Sequence, residues 1–267
     1  MYEQFFGLNE TPFTRHIPVT HLFGSQAHEE LVARMQYVVQ TRGFGVVTGE
    51  IGSGKSTAIR ALVRKLDSSR YRLLYLSDAN PNPRSFYRAL LEQMGLRPAF
   101  QRADGKRQLD NALMELWETQ RRQTVVVIDE AHLLSPAMLE EVRFLTNHQM
   151  DSTSPLSLLL VGQPELGRKL TLQAFEAVRQ RITLRYHLEG LNLADTRSYI
   201  QHHLTVAGAA RPLLGEEAIR LIYQRTRGIP REVNNVCSAC LLAAFAEQKT
   251  IVDEETVKTV LSEFPEH

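Results

Sequence analysis

The chain has 267 residues, 43% apolar and 23% charged, with a formal net charge of +1, the balance of an ordinary soluble globular protein with room for one large or two moderate domains. No global basic excess marks a nucleic-acid binder, so any such surface must come from local clustering. Cys237 and Cys240, in "VCSACLL", have no second Cys/His pair at ligand spacing, which argues against structural zinc and for small buried residues on a helix face, in a cytoplasmic protein with reduced thiols.

Residues 1–24 are irregular, broken by Gly7, Pro12, Pro18 and Gly24, and carry no basic-then-apolar leader pattern. "SQAHEELVARMQYVVQ" (25–40) opens with a serine cap and then repeats apolar residues at helical spacing. "FGVVT" (44–48) is a short buried strand, "GEIGSGKST" (49–57) a glycine-rich loop, and "KSTAIRALVRKL" (55–66) a helix. "YRLLYLS" (71–77) is a strand, and "NPNPRSFYRALLEQMGL" (80–96) a turn, a helix and a glycine stop. A polar, basic stretch, "RPAFQRADGKRQ" (97–108), connects to the helix "LDNALMELWETQ" (109–120). Then follow the strand "TVVVID" (124–129), the helix "SPAMLEEVRFLTN" (135–147), the buried strand "LSLLLVG" (156–162) and an alternating strand, "RITLRYHL" (181–188). Beyond "LEGLN" only helical patterns remain, and no apolar run reaches the length of a membrane span.

Strands that are apolar throughout, separated by helices, predict a parallel sheet covered on both faces. The expected architecture is therefore α/β: a five-stranded parallel sheet in a three-layer αβα domain over residues 1–190, followed by a small all-helical domain over 191–267.

The loop after the first strand reads Gly49-x-x-x-x-Gly54-Lys55-Ser56, a P-loop in the strand-then-helix context that the motif requires. Its backbone N–H groups, over Gly49, Glu50, Gly52, Ser53 and Gly54 and into Ser56 and Thr57, would cradle the phosphates of ATP at a helix N-terminus. Lys55 would reach the β- and γ-phosphates, and Ser56 would ligate Mg²⁺. Asp129, at the carboxyl end of a buried strand, would hold the same metal through water, and Glu130 would polarise the water that attacks the γ-phosphate. Gln163, ending the strand "LLLVG", is placed to sense that phosphate and position the water. "DEAH" also matches a helicase box, but such enzymes need tandem sheet domains; His132 is given no role. These residues predict an ATPase.

In this order the motifs resemble the AAA+ ATPases, and the resemblance extends over essentially the whole chain, with the terminal helices as the AAA+ lid. The start "MYEQFFGLNETPF" with "HLFGSQAHEELVARM" is similar to ExeA-like secretion ATPases and to transposition helper ATPases of the TnsC type. The resemblance implies that residues 1–24 and the region around Phe13 and His28 lie near the adenine base. It also implies that Arg231 of "GIPREVNN", in the first turn of a helix set by Gly228 and Pro230, reaches the γ-phosphate from the lid. It further implies that an arginine before the fifth strand, Arg181 or Arg179, enters a neighbouring subunit's site, which requires a homo-oligomeric ring or filament.

The chain ends at "EFPEH", without the membrane span and envelope-binding region of full-length ExeA-like proteins. That difference favours a DNA-associated helper that assembles on double-stranded DNA with ATP and acts on a transposase, without membrane insertion. A secretion-associated assembly ATPase with a membrane partner is the alternative, and a nucleotide-gated interaction switch a third reading. Arg97, Arg102, Lys106 and Arg107, with Phe100 among them, form either a loop that grips DNA phosphates or a solvated connector.

Overall fold

The computed structural model describes residues 2–14, 17–77, 82–145 and 154–264. The expected turn at Asn80–Pro81 and the expected helix end at Thr146–Asn147 lie outside the described residues. In chain order the first elements are α1 (Tyr2–Phe6), α2 (Gln26–Gln40), β1 (Phe44–Gly49), α3 (Lys55–Lys65), β2 (Tyr71–Leu76), α4 (Pro83–Gln93), α5 (Arg102–Glu118) and β3 (Gln123–Ile128). They continue with α6 (Pro136–Leu145), β4 (Leu156–Gly162), α7 (Pro164–Thr171), α8 (Glu176–Arg179) and β5 (Leu184–Leu188), then α9 (Leu193–Val206), α10 (Glu216–Thr226), α11 (Pro230–Ala246) and α12 (Glu254–Glu263). Contacts divide the chain into a sheet unit, His28–Gly49 with Lys55–Leu188, and a helical unit, Met1–Ala27 with Glu50–Gly54 and Glu189–His267.

In the sheet unit the strand order is β2-β3-β4-β1-β5, and every pairing is parallel. β1, β3 and β4 are buried along their whole length, which is why their sequences are apolar without alternation. β5, at one edge, alternates between exposed and shielded positions. The opposite edge, β2, is closed by a side chain: the Gln93 amide accepts from the Tyr75 N–H and donates to the Tyr75 carbonyl, both at 2.9 Å. That bond pair removes polar backbone groups that would otherwise invite another strand.

One large core joins β-strand residues such as Val46, Leu74, Val126 and Leu158 to Phe86, Leu90, Leu109, Leu113 and Met138 of α4, α5 and α6. Each such buried side chain contributes about 1.5–3 kcal/mol, so this face holds the sheet together. At Gly45 a Cβ would press within 3.1 Å of Val38, so α2 packs against β1 where only glycine leaves room.

The basic stretch 97–108 is not the loop or connector expected from its composition. α5 starts at Arg102, and the segment before it is tied down by Gln108, which accepts from the Ala99 N–H at 3.0 Å and donates to the Arg97 carbonyl at 2.9 Å. Gly105, which reads as a breaker, is buried inside α5 facing Tyr87 of α4, where an added Cβ would make an ordinary contact at 3.5 Å. The fifth strand is also shorter than expected: Arg181 lies in the turn before it.

In the helical unit α9, α10, α11 and α12 surround a core of Ile200, Leu204, Ile222, Val236, Cys237, Cys240 and Leu241. Asn192 and Asp253 cap α9 and α12 by accepting backbone N–H bonds, and Pro230 opens α11. Tyr2, Phe6, Leu8 and Phe13 belong to this core, so the N-terminal segment groups with the helices rather than with the sheet. Both thiols are free and buried; burial pushes the Cys240 thiol up to about 12 and the Cys237 thiol up as well, and they are inert packing residues. Among the described residues no cluster of His, Cys, Asp or Glu has metal-binding geometry, and no helix is long and apolar enough to cross a membrane.

Candidate functional site

All five strands point their carboxyl ends the same way, and β4 lies between β1 and β3. The chain segments that follow β1, β3 and β4 therefore emerge side by side, where open parallel sheets bind ligands. Those segments are the glycine loop, Asp129–Glu130 and Gln163.

The loop Glu50–Gly54 needs its glycines. Gly52 and Gly54 have φ of 84° and 105°, a region that side-chain-bearing residues avoid. Gly52 also has Arg231 packed against it so closely that a Cβ would overlap the arginine's own, and the Arg231 N–H donates to the Gly52 carbonyl at 3.3 Å. Ser53 is 6% exposed, yet its Oγ has no hydrogen-bond partner. A buried hydroxyl without a partner costs about 1–3 kcal/mol, so an anion that accepts from it fits the loop better than an apolar plug. Lys55, at 9% exposure, points its ammonium back along the loop and donates to the Gly49 carbonyl at 2.8 Å.

The acidic side of the site is organised around Asp129, which is itself buried. Its Oδ2 accepts from Tyr75 Oη at 2.7 Å and from Ser56 Oγ at 3.3 Å, and its Oδ1 accepts from the Glu130 N–H at 2.9 Å. A hydroxyl and a carboxylate this close form the hard oxygen set that suits Mg²⁺ with water completing its shell. Tyr75 was not singled out in the sequence; burial, then the bond to Asp129, pushes its phenol well above the usual range, so it stays a donor. Glu130 follows in the left-handed conformation with φ 51° and ψ 30°, and its side chain is about half exposed.

Gln163 occupies the cap position of α7 with Pro164 behind it, at the end of the strand between the other two motifs. Thr57 continues α3 past Ser56, and Pro230 and Arg231 open α11. Arg179 ends α8 with its guanidinium on the Thr171 carbonyl at 3.2 Å, and the Arg181 N–H donates to the Val178 carbonyl at 3.1 Å. His28 lies in α2, where burial lowers its pKa. Phe13 is buried in the helical unit, stacked on His203 with centroids 5.4 Å apart.

The basic group is less available than its sequence suggests. Arg102 is paired with the buried carboxylate of Glu141, which also accepts from Tyr87. Arg107 pairs with Asp104 at 3.0 Å, and Lys106 lies over Phe144 at 4.5 Å. Arg97 is exposed. The same surface carries cation–aromatic contacts that sequence reading missed: Arg84 over Phe100 at 4.0 Å and Arg143 over Phe144 at 4.6 Å.

A parallel sheet in this order, with a glycine loop running from its first strand into a helix, defines a P-loop nucleotide-binding protein. The chain belongs to the AAA domain family, which matches residues 36–170. It is 35% identical over 252 residues to General secretion pathway protein A of Aeromonas hydrophila, an alignment covering 92% of this chain and 45% of that protein. The chain thus spans about half the length of this relative. Among solved structures it resembles the Aeropyrum pernix ORC2 protein, with a TM-score of 0.68 and 15% identity over 94% of this chain and 70% of that one. It also resembles Drosophila ORC bound to DNA, with a TM-score of 0.64 and 17% identity over 98% of this chain and 64% of that one. At these identities the solved structures establish a shared AAA+ fold.

Proposed function

We propose that the chain is an ATP-hydrolysing AAA+ switch whose subunits associate when ATP is bound. The observation that carries this reading is the contact of Ser56 with Asp129 beside a loop whose buried Ser53 hydroxyl lacks a partner. Loop N–H groups and Ser53 hold the phosphate oxygens, and Lys55 swings from the Gly49 carbonyl to the β- and γ-phosphates. Ser56 and Asp129 hold Mg²⁺, which supplies charge neutralisation at the phosphates. Glu130 orients and polarises the attacking water, Gln163 bonds the γ-phosphate, and Arg231 meets it from the lid. Phe13 and His28 line the base. Arg181, with Arg179 as the alternative, completes a neighbour's site.

Two variants test this. Lys55→Ala is expected to lose nucleotide binding in a fluorescent-ATP titration. Glu130→Gln is expected to bind like the wild type while phosphate release falls by at least about a hundredfold. Retained binding by the first, or retained turnover by the second, overturns the assignment.

For the biological setting we favour a secretion-associated assembly ATPase in the cytoplasm, working with a membrane partner. The likeness to General secretion pathway protein A over most of this chain supports it. This reverses the order expected from the sequence, which put transposition first. A DNA-associated helper acting on a transposase is the second reading, favoured by the cation–aromatic surface of Arg84, Phe100, Lys106, Arg143 and Phe144. ATP-dependent retention on duplex DNA that weakens steeply with salt would support that second reading; no retention at low salt rejects it.

A further inference from the structure

The turns that lead into β1, β2 and β3 stand at the amino end of the sheet, about 20 Å along the strands from Asp129. They are fastened into one face. The Gln123 side chain donates to the Val39 carbonyl at 2.6 Å, and the Gln123 N–H to the Arg70 carbonyl at 2.9 Å. The Arg122 guanidinium donates to the Ser68 carbonyl at 2.8 Å, and Arg42 lies over the Trp117 ring at 3.6 Å.

This face is basic in a chain whose net charge is only +1. Arg64 and Lys65 end α3, Arg70 precedes β2, and Arg42 and Arg121 follow α2 and α5. Among the described residues none of these five forms an ion pair. Asp67, in the turn with Arg70, accepts instead from the Ser69 N–H and hydroxyl at 2.8 and 2.7 Å. The dipole of α3 accounts for cations in its last turn. Arg42 and Arg121 need another reason. α2 and α5 stop with the bonds Gly43 N–H to Val38 and Arg122 N–H to Leu116, which leave these arginines left-handed, with φ 53° and 52°. Glycine is the residue that such a position favours. Arginine at both strains the backbone, and what sets it apart from glycine there is its charged side chain.

We propose that this amino-end face docks on an anionic membrane surface. The cations select an anionic partner, and the residues among them select lipid over a nucleic-acid backbone. Val63, 38% exposed, with the half-buried Tyr71 and Trp117, sets apolar and amphipathic surface between the charges, which suits the boundary of headgroups and acyl chains. Three helix carboxyl ends present carbonyls here rather than N–H groups, so the face attracts as a charged plane and not as a phosphate pocket. None of these residues belongs to the proposed nucleotide site, so docking needs no ATP.

Trp117 is the only tryptophan in the chain, so contact can be read directly. The full chain is mixed, without nucleotide, with brominated vesicles of phosphatidylcholine alone or of phosphatidylcholine with phosphatidylglycerol. Co-sedimentation and Trp117 quenching are expected only with the anionic vesicles, and both should weaken steeply as salt rises. Arg42→Gly with Arg121→Gly removes two charges where glycine suits the backbone. That variant is expected to keep the fold and to lower vesicle affinity about twentyfold or more. Arg168→Gln with Arg220→Gln makes the same change in net charge elsewhere and should stay within about twofold of the wild type. No binding, binding without quenching, or equal weakening by the two double variants overturns the proposal. Retention on duplex DNA that needs Arg42 and Arg121, with no binding to vesicles, assigns the face to nucleic acid instead. Each of these results leaves the ATPase assignment intact, because no nucleotide is present.

Discussion

Tyr75 donates a hydrogen bond from its phenol to the Asp129 oxygen that Ser56 also reaches, so it fixes the direction in which that carboxylate presents itself. Partners of this kind typically change metal affinity about 10–100-fold when removed. Tyr75→Phe is therefore expected to raise the Mg²⁺ concentration for half-maximal turnover about tenfold, while nucleotide affinity in EDTA stays at the wild-type value. An unchanged Mg²⁺ dependence would show that Asp129 needs no such support. Tyr75 also marks the limit of what the sequence discloses at this scale. The loop residues, Lys55 and Asp129 stand out in the sequence because the proposed phosphate site follows a motif of neighbouring residues at fixed spacing. Tyr75 acts through the parallel register that pairs it with Val127, a relation that leaves no local pattern.

The three inner strands were legible as elements because burial on both faces demands uninterrupted apolar runs, as in "VVVI" and "LSLLLVG". The start of α5 was hidden because Gly105 and four charges imitate a loop, although the glycine is buried within the helix and faces Tyr87. The N-terminal aromatics join the core of the helical unit although a five-residue helix shows no usable period; their position follows from contacts with the distant α9 and α11. One of those contacts has a pH signature. His203, on α9, lies between Phe13 and Tyr199, and burial, reinforced by neighbouring His202, lowers its pKa from 6.5 to about 4. The unfolded chain therefore binds the extra proton between these values, and stability is lost as pH falls through that window. The loss approaches about 1.4 kcal/mol per pH unit and totals roughly 3 kcal/mol by pH 4. His203→Phe, which keeps the ring stack and removes the titration, is expected to flatten this part of the stability curve in denaturant melts. An identical pH dependence in the two proteins would place the acid sensitivity elsewhere.

At the scale of the whole molecule, the proposed site draws Lys55 and Glu130 from one chain and its transition-state arginine from another. The two contributions can be separated by mixing. Arg181→Ala should bind ATP yet hydrolyse it about a thousandfold or more slowly, because the charge that develops on the phosphates lacks its partner. Lys55→Ala should not bind ATP but keeps an intact arginine to offer. In an equimolar mixture, a working site needs a binding-competent subunit beside one with that arginine. Random association makes about a quarter of all sites productive. Phosphate release is therefore expected to recover to about a quarter of the wild-type rate per subunit, and to fall with dilution as the contacts dissociate. A mixture no faster than the sum of its two components rules out Arg181 as a donor in trans. Recovery with Arg179→Ala in its place would move the role to the arginine that ends α8. Either outcome is independent of whether the assembly serves secretion or DNA, because only ATP and the two variants enter the measurement.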